Sequence, residues 1–206
     1  MKETTAKKKF MWNMAGSLCN SLSSMLLLII VNRISGESRG GFFALAYSTA
    51  QLLFSVGGFE IRPVQSTDIK NKFTFDQYFT SRMLNCIIML ICMIGYIVVN
   101  GYTGVEALTV FWILGYRMVE AVADVYSGLF QQRERIDISG KEMLMRSGIS
   151  TITFTIILWL TDNLLYAAMT LTLTSLVIML FYDLHMKKYF EPTPVHLEWR
   201  GILGIY

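Results

Sequence analysis

Charge is what this sequence has least of. Asp, Glu, Lys and Arg together supply 16% of its 206 residues, against about 25% in soluble domains, too few to cover an ordinary globule with a solvated surface. Proline is nearly missing, with 3 residues, and 15 glycines are too few for a collagen-like or low-complexity chain. Cysteine numbers 3 and histidine 2. Cys19, Cys86 and Cys92 lie in apolar runs without a CxxC spacing, and His185 and His196 have no ligand partner nearby, so no metal site is expected. The cysteines read as small buried hydrophobes. A net charge of +3 is too small to point to nucleic acid.

What fills the chain is apolar: 53% of residues are hydrophobic and the mean hydropathy is +0.46. The combination excludes disorder and a soluble enzyme, and leaves an integral membrane protein. Because a charge in hydrocarbon is costly and about 20 helical residues cross the core, charge-free stretches locate the spans. Residues 10–32, 40–59, 83–105 and 163–182 hold no charge, and 147–161 reaches spanning length if Arg146 snorkels at its end. Glu106–Gln132 is also long and apolar but contains Arg117, Glu120 and Asp124. The expected fold is all-α, with six transmembrane helices at about 10–32, 41–60, 83–100, 106–131, 143–161 and 163–183. They are flanked by a basic tail, 1–9, and a C-terminal tail or linker, 184–206. A cleaved signal peptide is not expected, because the first charge-free run is too long and no A-x-A-like site precedes Arg33.

Orientation follows from the positive residues. The N-terminal tail, the second and fourth loops and the C-terminal tail carry 15 of the 18 Lys and Arg, including Arg62, Arg82, Arg133, Arg146 and Lys187. The remaining loops carry only Arg33 and Arg39. By the positive-inside rule both ends are expected in the cytoplasm. Pro63 is expected to end the second span, and residues 65–82 are amphipathic enough to lie along the interface.

Polar residues inside the spans mark helix contacts or a watered cavity. In the first span Asn13, Ser17, Asn20 and Ser24 fall on one helical face; in the second Ser48, Gln51 and Ser55 repeat the pattern. Arg117, Glu120 and Asp124, at i, i+3 and i+7, share a face near mid-membrane, with Arg117 in ion-pair reach of Glu120. Either the pair neutralises itself for packing, or the charges face a pathway. No HExxH, GxSxG or Walker sequence is present, and Asp124-Val-Tyr-Ser-Gly lacks the second Asp and the Ala-Arg step of a CDP-alcohol phosphotransferase. No catalytic residue and no cofactor is expected.

Trp12-Asn-Met-Ala-Gly-Ser-Leu, Ile29-Ile-Val-Asn-Arg-Ile34 with Gly36-Glu37 and Gly40, Phe59-Glu-Ile-Arg-Pro-Val-Gln-Ser-Thr-Asp68 and Gly128-Leu-Phe-Gln-Gln132 together resemble bacterial polysaccharide-biosynthesis flippases. These are of the O-antigen flippase type, in the multidrug/oligosaccharidyl-lipid/polysaccharide exporter superfamily. The resemblance implies one six-helix lobe of a two-lobed alternating-access transporter in the bacterial cytoplasmic membrane. It implies an undecaprenyl-diphosphate-linked oligosaccharide as substrate, moved for polysaccharide or lipopolysaccharide synthesis. The partners would be that lipid-linked oligosaccharide, membrane lipids, and a second lobe or a second copy of the chain. From charge and depth, Arg117 is the candidate phosphate or gating cation, with Glu120 and Asp124 as counter-charges or coupling carboxylates. Arg62 and Arg33 are candidates at the two mouths, and Ser17, Asn20, Ser48 and Gln51 would line the cavity. A cation-coupled drug or metabolite antiporter and a non-transport scaffold for envelope glycan assembly are the alternatives.

Overall fold

The computed structural model describes residues 5–58, 61–68, 72–191, 195–198 and 205, with backbone alone at 56–58. Among them there is no strand. Helix α1 runs Ala6–Gly58, α2 Ile61–Thr67, α3 Phe75–Val99, α4 Gly104–Gln132 and α5 Ile136–Thr161; α6, Leu164–Ile178, continues through a π turn, Met179–Asp183, into α7, Leu184–Lys187. Four helical stretches are long and apolar enough to cross a membrane: Ala6–Ser55, Phe75–Val99, Ile136–Thr161 and Leu164–Lys187. The charges of α4 set it apart from these, although its 29 residues match them in length.

Helix α1 is two arms. At Gly36, φ is 84° and ψ 172°, a conformation only glycine adopts readily, and the chain reverses there. The Tyr47 hydroxyl donates to Ser24 Oγ at 3.0 Å, whereas residues 23 apart on a straight helix are about 34 Å apart. Near the other end of the first arm, Gly16 meets Gly140 of α5 backbone to backbone, with no room for a Cβ on either. This close crossing contributes to the extensive packing of α1 on α5.

Local signals fix the other ends. Thr74 and Gln77 form a capping box, with Gln77 N donating to Thr74 Oγ1 at 3.2 Å and Thr74 N to Gln77 Oε1 at 2.9 Å. They start α3 eight residues before the charge-free stretch begins. Asn163 Oδ1 accepts from Leu165 N and Tyr166 N at the start of α6. Pro63 does not end a helix; it lies in the first turn of α2, where its missing N–H costs nothing. Of residues 65–82, those at 65–67 belong to α2, which docks on α4 with Ile61 and Gln65 buried, 69–71 lie outside the described residues, and 75–82 form the start of α3.

The interior is layered along α4. Val110, Ile113, Leu114 and Tyr116 join Leu27, Phe43, Phe154 and Leu171 in one apolar core. Val125, Tyr126, Leu129 and Phe130 join Ile61, Phe75 and Tyr78 in a second, aromatic core. Between them lies the stretch Arg117 to Asp124, about 10 Å of helix, and the charges gather there. The outside is apolar: Leu22, Ile29, Ile91, Val98, Ile156, Trp159 and Phe181 are all exposed. Cys92 is exposed with them, while Cys86 is buried as expected. A surface of this kind suits hydrocarbon, and the protein is an all-helical multi-pass membrane protein.

Candidate functional site

The central charge layer is built from five helices, α1 to α5. Arg117 and Glu120, on α4, form the ion pair their spacing suggests, through Arg117 Nη1 and Glu120 Oε2, and both are buried. The Arg117 guanidinium also lies 4.5 Å from the centroid of the Tyr47 ring on the second arm of α1, a cation–π contact that adds to its holding in a dry environment. Asn20 of the first arm donates through Nδ2 to Glu120 Oε1 at 2.9 Å, and Arg146 Nη2 of α5 stands 3.9 Å from the same oxygen. Arg146 Nε in turn donates to Glu142 Oε1 at 2.5 Å.

Arg146 is therefore not a snorkelling residue at a span's end. It is 2% exposed, because α5 begins at Ile136, ten residues earlier, and carries it well inside. Ion pairs Arg117–Glu120 and Arg146–Glu142 are each neutral in themselves, and desolvating them is tolerable only because each charge has a partner.

Asp124 is not a counter-charge of Arg117. One turn further along α4 it is clamped by two other arginines: Arg62 Nη1 at 3.1 Å from Oδ1 and Arg82 Nη2 at 2.9 Å from Oδ2. Arg82 is fully buried on α3, and its place in a charge-bearing loop hid this from a reading of charge-free windows. Arg62 retains some exposure, with 27% of its side chain accessible, and its Nε reaches Gln131 Oε1 at 3.4 Å.

Asn20, Phe54, Arg62, Glu120, Ala123, Asp124, Ser127, Met143 and Arg146 enclose a cavity of about 200 Å³. Ligand pockets run to about 300–1,000 Å³, so this one holds a few waters or one anionic group and no sugar chain. Of the residues singled out from sequence, Arg62, Asn20, Glu120 and Asp124 meet here. Arg117 lies behind the wall, held by Glu120. Arg33 does not join them; it is exposed, beside the 35–37 turn. Ser17, Ser48 and Gln51 are exposed too, yet Ser17 stands one turn from Asn20 and Gln51 one turn from Phe54, on helix faces that border the cavity. Sequence reasoning missed the part that Arg82, Arg146 and Glu142 play here; the i, i+4 spacing of Glu142 and Arg146 was the available signal.

Two of the sequence's distinctive segments hold each other. Gln65 of α2 packs over Gly128 of α4, where a Cβ would collide with its amide, and Gln132 Nε2 donates to Asp68 O at 2.6 Å. Asp68 accepts from Lys72 N at 2.9 Å, Phe73 N at 3.0 Å and the Tyr78 hydroxyl at 3.1 Å. Against the desolvation that opposes its charge, those donors hold the Asp68 carboxyl below its ordinary range. This lattice presents Arg62 to Asp124. Among the described residues no group of three His, Cys, Asp or Glu is placed to hold a metal ion.

No curated protein and no solved structure matches the chain. The model of one family, described as polysaccharide biosynthesis protein, matches residues 6–200, nearly the whole bundle including the layered charges and the α2–α4 lattice. The chain belongs to the polysaccharide biosynthesis protein family.

Proposed function

We propose that the protein moves an undecaprenyl-diphosphate-linked oligosaccharide from the inner to the outer leaflet of the bacterial cytoplasmic membrane, as a transporter and not an enzyme. In this reading the two arms of α1 and helices α3, α4, α5 and α6 are six spans with both ends in the cytoplasm. The bundle forms one wall of an alternating-access pathway whose other wall is a second lobe or a second copy. The observation that carries the reading is the cavity at mid-bundle with a cation at its mouth: Arg62, partly exposed and held by Asp124. A diphosphate is recognised by planar, two-pronged guanidinium donors, and Arg62 is the arginine of the layer that can exchange its carboxylate for a phosphate without leaving a dry site.

Its volume supports a recess in a wall, not an enclosing chamber, so the sugars would pass along the polar stripe of Ser17, Ser48 and Gln51 while the prenyl tail stays in lipid. Arg117 becomes a support that fixes Glu120, and Arg33 a marker of the outer end.

The test is surface glycan in cells whose copy is replaced. Arg62→Ala removes charged hydrogen bonds worth about 1.5–3 kcal/mol each and should reduce export about tenfold or more at unchanged protein level, with Arg62→Lys retaining part. Export unaffected by Arg62→Ala would take Arg62 out of the mechanism.

A further inference from the structure

Asp183 stands apart from every other acid of the interior. It is 1% exposed, it lies on the π turn Met179–Asp183, and neither of its carboxyl oxygens has a hydrogen-bond partner. A bare carboxylate in such a place carries a desolvation cost of several kcal/mol at the least. Single π turns inside α-helices recur at functional sites.

Its surroundings offer both a rival and a rescuer. Helix α5 packs on the π turn and brings Glu142 and Arg146 as its charged neighbours. Glu142 is itself 1% exposed, and its Oε2 also lacks a partner, as does Nη1 of Arg146. Three charged residues with unused polar atoms thus stand on α5 and on the π turn that packs against it. The other titratable groups around it are Tyr126 of α4, on which Asp183 acts, Tyr182 beside it, and Lys187 one turn on, whose ammonium lies 4.9 Å from the Phe75 ring centroid. Asp137, further along α5, is engaged by Arg135 through Nε at 2.8 Å and Nη2 at 2.9 Å.

We propose that Asp183 is a proton-binding site: its carboxyl carries a proton at neutral pH while Arg146 is committed to Glu142 and Glu120, and releases it when Arg146 turns to Asp183. On release the Asp183 O–H bond breaks, the proton passes to water, and Arg146 Nη1 donates to the new carboxylate. Arg146 thereby loosens its contact with Glu120 on the cavity wall. Glu120 and Asp124 are poor carriers by comparison, since arginines already hold both. The proton site stands without the transport reading; only its link to the flipping cycle rests on that reading.

The test needs no substrate. The full chain in lipid nanodiscs at neutral pH is examined by infrared spectroscopy for the carbonyl stretch of a protonated, water-shielded carboxylic acid. The band is expected in the wild type, lost in Asp183→Asn, displaced in Asp183→Glu and kept in Arg117→Lys. Its absence from the wild type, or its survival in Asp183→Asn, overturns the proposal. Stability gives a second readout. Asparagine mimics the neutral carboxyl, so Asp183→Asn should unfold at the same denaturant concentration as the wild type at pH 7. A variant that unfolds much earlier, or does not fold, shows an ionised and partnered Asp183 and equally overturns it.

Discussion

Arg146 is the residue on which the charge layer balances. It faces Glu142 at 2.5 Å and Glu120 at 3.9 Å, and removing it strands a carboxylate that is 1% exposed. Breaking a buried pair on one side costs about 3–5 kcal/mol, whereas replacing both partners by neutral groups of similar volume is often tolerated. Arg146→Met should therefore lower the unfolding midpoint strongly, and Arg146→Met with Glu142→Leu should recover much of the loss; a double variant no better than the single one would deny the pairing. Asp68 makes a separate prediction at the surface. Its carboxyl titrates below the ordinary value near 3.9, so the stability it contributes is present above that value and is lost as pH falls through its lowered one. Protection of the Lys72 and Phe73 amides, measured as exchange relative to an unstructured amide at the same pH, should be high at neutral pH and lost in acid, and Asp68→Asn should lack it throughout.

At the scale of elements, the bundle depends on where backbones touch. Gly16 and Gly140 leave no space for a Cβ, and the atoms in the way are main-chain atoms that cannot rotate aside. Gly140→Val should force the first arm of α1 off α5 and destabilise by about 1–3 kcal/mol or more, read as a lowered melting midpoint in detergent. Gly41, with nothing near its Cβ position, should accept alanine without loss. Element ends show what a sequence reveals and what it hides. The helical character of the apolar stretches and the Arg117–Glu120 pair were legible, because period and spacing are local properties. The early start of α3 was not, since the charges at Asp76 and Arg82 outweighed the Thr74–Gln77 capping box. The helical α2 was misread because Pro63 signals an ending and an opening turn alike. Nor could the reversal of Asp124 towards Arg62 and Arg82 be read: those residues are 62 and 42 positions away, and only tertiary packing of α2 and α3 on α4 brings them in.

For the molecule as a whole, two apolar cores enclose one polar layer, and the outside is apolar around both. Such a layer in a membrane is expensive and is kept where something polar must pass or bind. The chain belongs to a polysaccharide biosynthesis family, and in the proposed function the cargo is a lipid-linked glycan whose phosphates would meet Arg62 at the edge of the mid-bundle recess. The most direct test is translocation itself. Vesicles containing the purified full chain and an undecaprenyl-diphosphate-linked oligosaccharide in the outer leaflet alone would be sampled with an impermeant lectin, which captures only sugars still outside. The account predicts that lectin-accessible sugar falls to about half as the leaflets equilibrate, and falls far more slowly with Arg62→Ala. Sugar that stays fully accessible with the wild-type protein, as in protein-free vesicles, would contradict it.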